Sequence, residues 1–173
     1  MCCWRAVRKG QCQLSEPEPL VALSAREALT ADALFERMFP ADEQGPGARE
    51  IGVVTYLDRA LAGAYREHLP AYRNGLTLLD RVSQTRFGVR FASAAGPVQD
   101  ELIGELERGE IPGWVVPDQR SFFELLRSHL QEGLFSDPAY GGNHDKLGWR
   151  FLVVVAAIAV LAYALWYVRL IAL

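Results

Sequence analysis

Cysteine and histidine are scarce, with three of each in 173 residues. Cys2, Cys3 and Cys12 crowd near the N-terminus. An odd number at one end is not a disulfide framework, and no C-x-x-C or C-x-x-C-H spacing offers a metal or haem site. His68, His129 and His144 form no H-x-x-x-H or H-E-x-x-H pair, so no zinc motif is present. No G-x-G-x-x-G follows a strand-like run, which leaves the chain without the usual cradle for FAD or NAD. The G-x-S-x-G elbow and the phosphate-binding glycine-lysine loop are missing too. Asp42 and Glu43 are adjacent carboxylates, but neighbours in sequence rarely converge on one substrate atom, and a solvated turn accounts for them. A net charge of −3 gives nucleic acid no electrostatic foothold. The chain therefore reads as a protein without catalytic, cofactor-binding or metal residues of its own.

Period-two alternation is absent as well, which excludes a sheet and points to an all-α fold. Ser24-Ala25-Arg26-Glu27 matches a capping box and predicts a helix to about Met38, with Ala28, Leu29, Leu34, Phe35 and Met38 facing one way. Phe39-Pro40 ends it. A second helix is expected over about 48–62, burying Ile51, Val54, Tyr56, Leu57 and Leu61. A third spans about 71–86, and a fourth runs from Pro97 to Arg108. Trp114 is expected to tuck back on the core from the loop 111–117. The fifth helix covers 118–132, with Asp118 as N-cap, Gly133 as the terminating C′ residue and His129 packed on its apolar stripe. The fold class is a small bundle of about five amphipathic helices followed by one C-terminal transmembrane helix.

That last helix begins where the composition changes. FLVVVAAIAVLAYALWYV, residues 151–168, carries no charge, and with 170–173 beyond Arg169 it can cross a hydrocarbon core of ~30 Å. Trp149, Tyr163, Trp166 and Tyr167 sit near its ends, at the depth rings prefer, so a lipid bilayer is an expected partner. The division is then a poorly ordered tail over 1–23, a helical domain over 24–149 and a membrane helix over 150–173. The tail has Arg5, Arg8 and Lys9 but no apolar run behind them, and so no recognisable export signal.

Between the fifth helix and the span lies Glu132–Trp149, rich in turn residues and large rings. Asp137-Pro138 leaves helical geometry, and Gly141, Gly142 and Asn143 tolerate positive φ. Phe135, Asp137, Tyr140, Asn143 and Trp149 are the candidate site residues. They either staple this loop to its own bundle or present a contact surface to a partner chain.

FFELLRSHLQEGLFSDPAYGGNHDKLGW (122–149) resembles the C-terminal part of the gluconate 2-dehydrogenase subunit 3 family, and FPADEQGPGAREIGVVTYLDRALAG (39–63) resembles its N-terminal part. The resemblance implies a non-catalytic small subunit of a bacterial membrane-associated, flavin-dependent sugar or polyol dehydrogenase. Its implied partners are the flavin-dependent large subunit and a cytochrome c subunit, with FAD and haem residing in those chains. A full apolar span departs from the family's usual short segment after Gly-Trp. The implied location is the bacterial inner membrane, crossed once. The family places the domain on the periplasmic side. Lys146 and Arg150 against Arg169 alone, together with the missing signal, lean towards the cytoplasm. The rival reading is a stand-alone tail-anchored interaction module with no dehydrogenase partner.

Overall fold

The structure is a computed structural model that describes residues 19–43 and 45–171. The three cysteines and the basic residues Arg5, Arg8 and Lys9 lie outside the described residues. Those that are described contain seven α-helices and no strand beyond an isolated bridge between Asp42 and Gly45.

Helix α1 (Ala25–Met38) starts as its capping box demands. The Ser24 hydroxyl accepts from the Glu27 amide, and the Glu27 carboxylate accepts from the Ser24 amide at 2.7 Å. Ala28, Leu34 and Phe35 enter the core, but Leu29 does not. It lies 64% exposed, because buried Thr30 takes the inward place beside it and bonds to the Asp80 carboxylate. The single helix expected over 48–62 is two, α2 (Ala48–Ile51) and α3 (Val53–Ala62). Gly52 breaks it at φ +85°, and the His144 ring fills the space a Cβ would need, 2.3 Å from that position. The His144 ring, almost a hundred residues away in sequence, packs against this glycine, a contact that local propensity does not reveal.

Helices α4 (Leu69–Phe87) and α5 (Gly96–Arg108) follow their sequence signals, with proline in the first turn of each. Gly75 in α4 lets the Phe122 ring sit against its backbone. Trp114 is buried as expected, its indole N–H donating to the Pro117 carbonyl at 2.6 Å. Helix α6 (Gln119–Phe135) begins on its Asp118 cap but passes through Gly133 rather than ending there. Val53 packs within 3.0 Å of where a Gly133 Cβ would stand. The glycine is a packing residue, and the helix gains another half turn.

Helices α1 and α6 form the centre, and α2 to α5 pack around both. Leu34, Phe35, Leu57, Tyr72, Phe122 and Leu126 meet between them. Two carboxylates are sealed into this apolar mass. Asp80 holds Arg26, Thr30 and the Phe91 amide. Asp58 accepts three successive amides, those of Val21, Ala22 and Leu23, at 2.7, 2.9 and 2.8 Å. Residues 21–23, counted with the tail in the sequence reading, are thereby pinned to α3, and Leu23 is buried.

Helix α7 (Leu147–Ile171) is one unbroken helix, exposed from Leu152 to Tyr167, with a mean hydropathy of 2.1 over its most apolar stretch. By length and composition it could span a membrane.

Removing the Asp58 carboxylate strands three amides at once. Asp58→Ala should cost about 3 kcal/mol or more, since hydrogen bonds to a charged group contribute roughly 1.5–3 kcal/mol each but are not additive. Urea unfolding of the detergent-solubilised chain measures this.

Candidate functional site

The loop after α6 is held by backbone shapes that few residues tolerate. The Asp137 side chain accepts from the Ala139 amide at 2.9 Å and opens a 3₁₀ turn, Pro138–Tyr140. Gly141 follows at φ +96°. Gly142 then passes so close to α6 that a Cβ would lie 2.4 Å from the Gly133 carbonyl oxygen. Asn143, Asp145 and Lys146 all have positive φ, at 46°, 51° and 59°. Such a cluster persists only where contacts over-determine it.

Asn143 supplies those contacts. It is 0% exposed. Its amide N–H donates to the Gly133 carbonyl, its side-chain NH₂ to the Ser136 carbonyl, and its Oδ1 accepts from the Gly148 amide, each at 2.9 Å. One side chain thus ties the end of α6 to the root of α7. Gly148 has no room for a side chain, with the Leu134 carbonyl oxygen 1.9 Å from its would-be Cβ. The Trp149 indole adds a second tie, donating to the Phe135 carbonyl at 2.7 Å. Asn143 and Trp149 are therefore staples of the chain to itself. Asp137 and Tyr140 stand exposed, with Tyr140 at 64%, and Phe135 is half-buried.

Phe135 and Tyr140 line a groove of about 1000 Å³ between α3, α6 and the 3₁₀ turn, together with Tyr56, Arg59, Tyr65 and Glu132. The sequence reading missed these last four as a group. The Glu132 carboxylate accepts from the Tyr56 hydroxyl. Burial, then Glu132, pushes the Tyr56 hydroxyl well above its ordinary pKa. The nearby Glu132 carboxylate is the leading cause of the rise in the Tyr65 pKa. Both hydroxyls thus stay neutral. Glu132 lies three residues after His129, on the border of the apolar stripe, and a carboxylate there was the available signal.

Beneath the groove His129 is sandwiched between Tyr65 and Tyr72, at centroid distances of 4.7 and 5.7 Å. Its Nδ1 and the Tyr72 hydroxyl share a hydrogen bond of 2.8 Å. Burial lowers the His129 pKa, nearby Glu132 opposes this, and His68 reinforces it. It is a packed, neutral ring, as the helix stripe implied. Among the described residues no three His, Cys, Asp or Glu side chains gather as a metal site. His144, the third histidine, fills the kink at Gly52. The arrangement is an aromatic, hydrogen-bonded groove.

Two outcomes follow from these contacts. Asn143→Ala should lose about 2–4 kcal/mol from two buried hydrogen bonds, while Asn143→Gly loses about 1 kcal/mol less because it also removes the β-carbon at positive φ. Thermal melts of the three proteins compare them. The unfolded chain takes up a proton at His129 that the folded chain refuses. Stability from this group is complete above about pH 6.5 and falls as pH drops through that value. Melting between pH 7.5 and 5.5 should show the decline, and His129→Gln should flatten it.

The model of the gluconate 2-dehydrogenase subunit 3 family matches residues 25–153, from the first residue of α1 into α7, and so spans the whole groove and loop. No curated protein and no solved structure matches the chain.

Proposed function

The chain belongs to the gluconate 2-dehydrogenase subunit 3 family, and from that premise we propose a small, non-catalytic subunit that binds, helps mature and membrane-tethers a flavin-dependent sugar or polyol dehydrogenase. Flavin oxidation of the substrate belongs to the large subunit, and haem, where a relay exists, to a cytochrome c subunit. The bacterial inner membrane is the location in this reading, with α7 as a single-pass anchor.

The observation that carries the tethering role is the continuity between family domain and anchor. The matched segment runs on into α7 without a linker, and its last loop is bonded at both ends of the junction. The partner-binding role is supported by the groove. Tyr140 is a large ring kept in solvent and lining a concave, aromatic surface, where a protein partner would gain most from burying it. Asn143 and Trp149 support that surface from behind.

Affinity capture of the tagged full chain from its native membranes tests both roles. A large flavin-bearing chain should co-purify. Tyr140→Ala should leave the melting temperature unchanged, because the ring is exposed, yet weaken capture by roughly thirtyfold, the equivalent of a ~2 kcal/mol hot spot. Capture without any flavoprotein overturns the reading, and lost melting would make Tyr140 a folding residue instead.

A further inference from the structure

The root of α7 carries information about where the domain sits. The uncharged run 151–168 is bracketed by Arg150 and Arg169. At 1.5 Å per residue it measures about 27 Å, slightly less than the ~30 Å hydrocarbon core it would cross. Even with 170–173 counted in, residues 151–173 reach only about 34 Å, so no more than about 4 Å can be spared as a spacer and Phe151 belongs within a few ångströms of the hydrocarbon boundary. Yet Phe151 is also a contact of the folded domain. Its ring meets Phe39 edge to face, with centroids 5.9 Å apart and planes at 89°. Gly45 approaches it so closely that a Cβ there would lie 3.1 Å from Phe151 Cδ2.

Phe39 and Gly45 bound the turn between α1 and α2. A headgroup layer is about 5–7 Å deep on each side of the hydrocarbon. Groups touching a residue at the boundary therefore fall within that layer. Nor can the domain swing away, since Asn143 and Trp149 tie the first turn of α7 to the end of α6.

We infer that the domain rests directly on the bilayer, with residues 39–43 and 45–46 of the α1–α2 turn lodged in the phospholipid headgroup layer beside the root of α7. This rests on the membrane reading of α7. The chemistry of the patch fits a zwitterionic surface. Asp42, Glu43 and Asp145 stand against Lys146 and Arg150, so neither sign dominates. The Lys146 ammonium lies 5.8 Å over the Trp149 ring, a cation and an aromatic together at the interface depth both prefer. Phosphatidylcholine is then a sufficient partner, and anionic lipid is not required.

The test uses the full chain in phosphatidylcholine vesicles, with Cys2, Cys3 and Cys12 replaced by serine and one fluorescent label at Ala41→Cys. The control carries it at Val115→Cys. Both side chains are exposed. Val115 lies beside the start of α6, about 25 Å along that helix from the α7 root. A headgroup-linked quencher should quench position 41 several-fold more than position 115, with or without anionic lipid. Equal quenching in a chain that resists carbonate extraction overturns the docking alone. A chain released by carbonate overturns the membrane reading beneath it. Preferential quenching only with anionic lipid replaces the zwitterionic surface with a charged one and overturns the stated partner.

Discussion

The buried amide of Asn143 is the constraint on which the lower half of this structure depends. It occupies a left-handed backbone position, spends both ends of its side chain on main-chain groups, and is sealed from water. In a dry environment those bonds have no competitor, so the loop they hold behaves as part of the core. The path of Gly142 against α6, the start of α7 at Leu147 and the placement of Trp149 all follow from that one anchor. So does the groove, because the turn that lines it is the one Asn143 holds against α6.

The upper half relies on the same device in a different form. Asp58 and Asp80 are carboxylates inside an apolar bundle, each satisfied by backbone amides or by a guanidinium and a hydroxyl. Burial of a charge is tolerated when every lone pair finds a donor. The consequence is directional. Asp58 fixes the chain entering α1, and Asp80 fixes the connector that leads to α5. Apolar packing supplies the driving force, and these polar pins choose which of several similar packings results.

Rigidity is the shared theme. Helix α7 begins inside the fold, tied to the end of α6 through Gly148 and Trp149, so the domain and this helix move together. The neutral His129 between two tyrosines and the Tyr56 hydroxyl on Glu132 stiffen the groove floor in the same way.

The sequence by itself determined what depends on neighbours within a few residues. The all-α class, the Ser24 and Asp118 caps, the proline start of α5 and the apolar span after Arg150 were all legible, because capping, φ restriction and helical periodicity are local. The identity of the final loop as an ordered element was legible from its rings and turn residues. Tertiary structure decided the rest. The His144 ring packs against Gly52 from the far end of the chain, and Gly133 continues a helix because Val53 and Gly142 press on it. Leu29 faces water because Thr30 bonds to Asp80. Asn143 and Tyr140, alike as loop candidates, part into a buried clamp and an exposed ring. Each of these outcomes is a contact between segments distant in sequence, and hydrophobic periodicity says only which face is apolar, not what will come to lie against it.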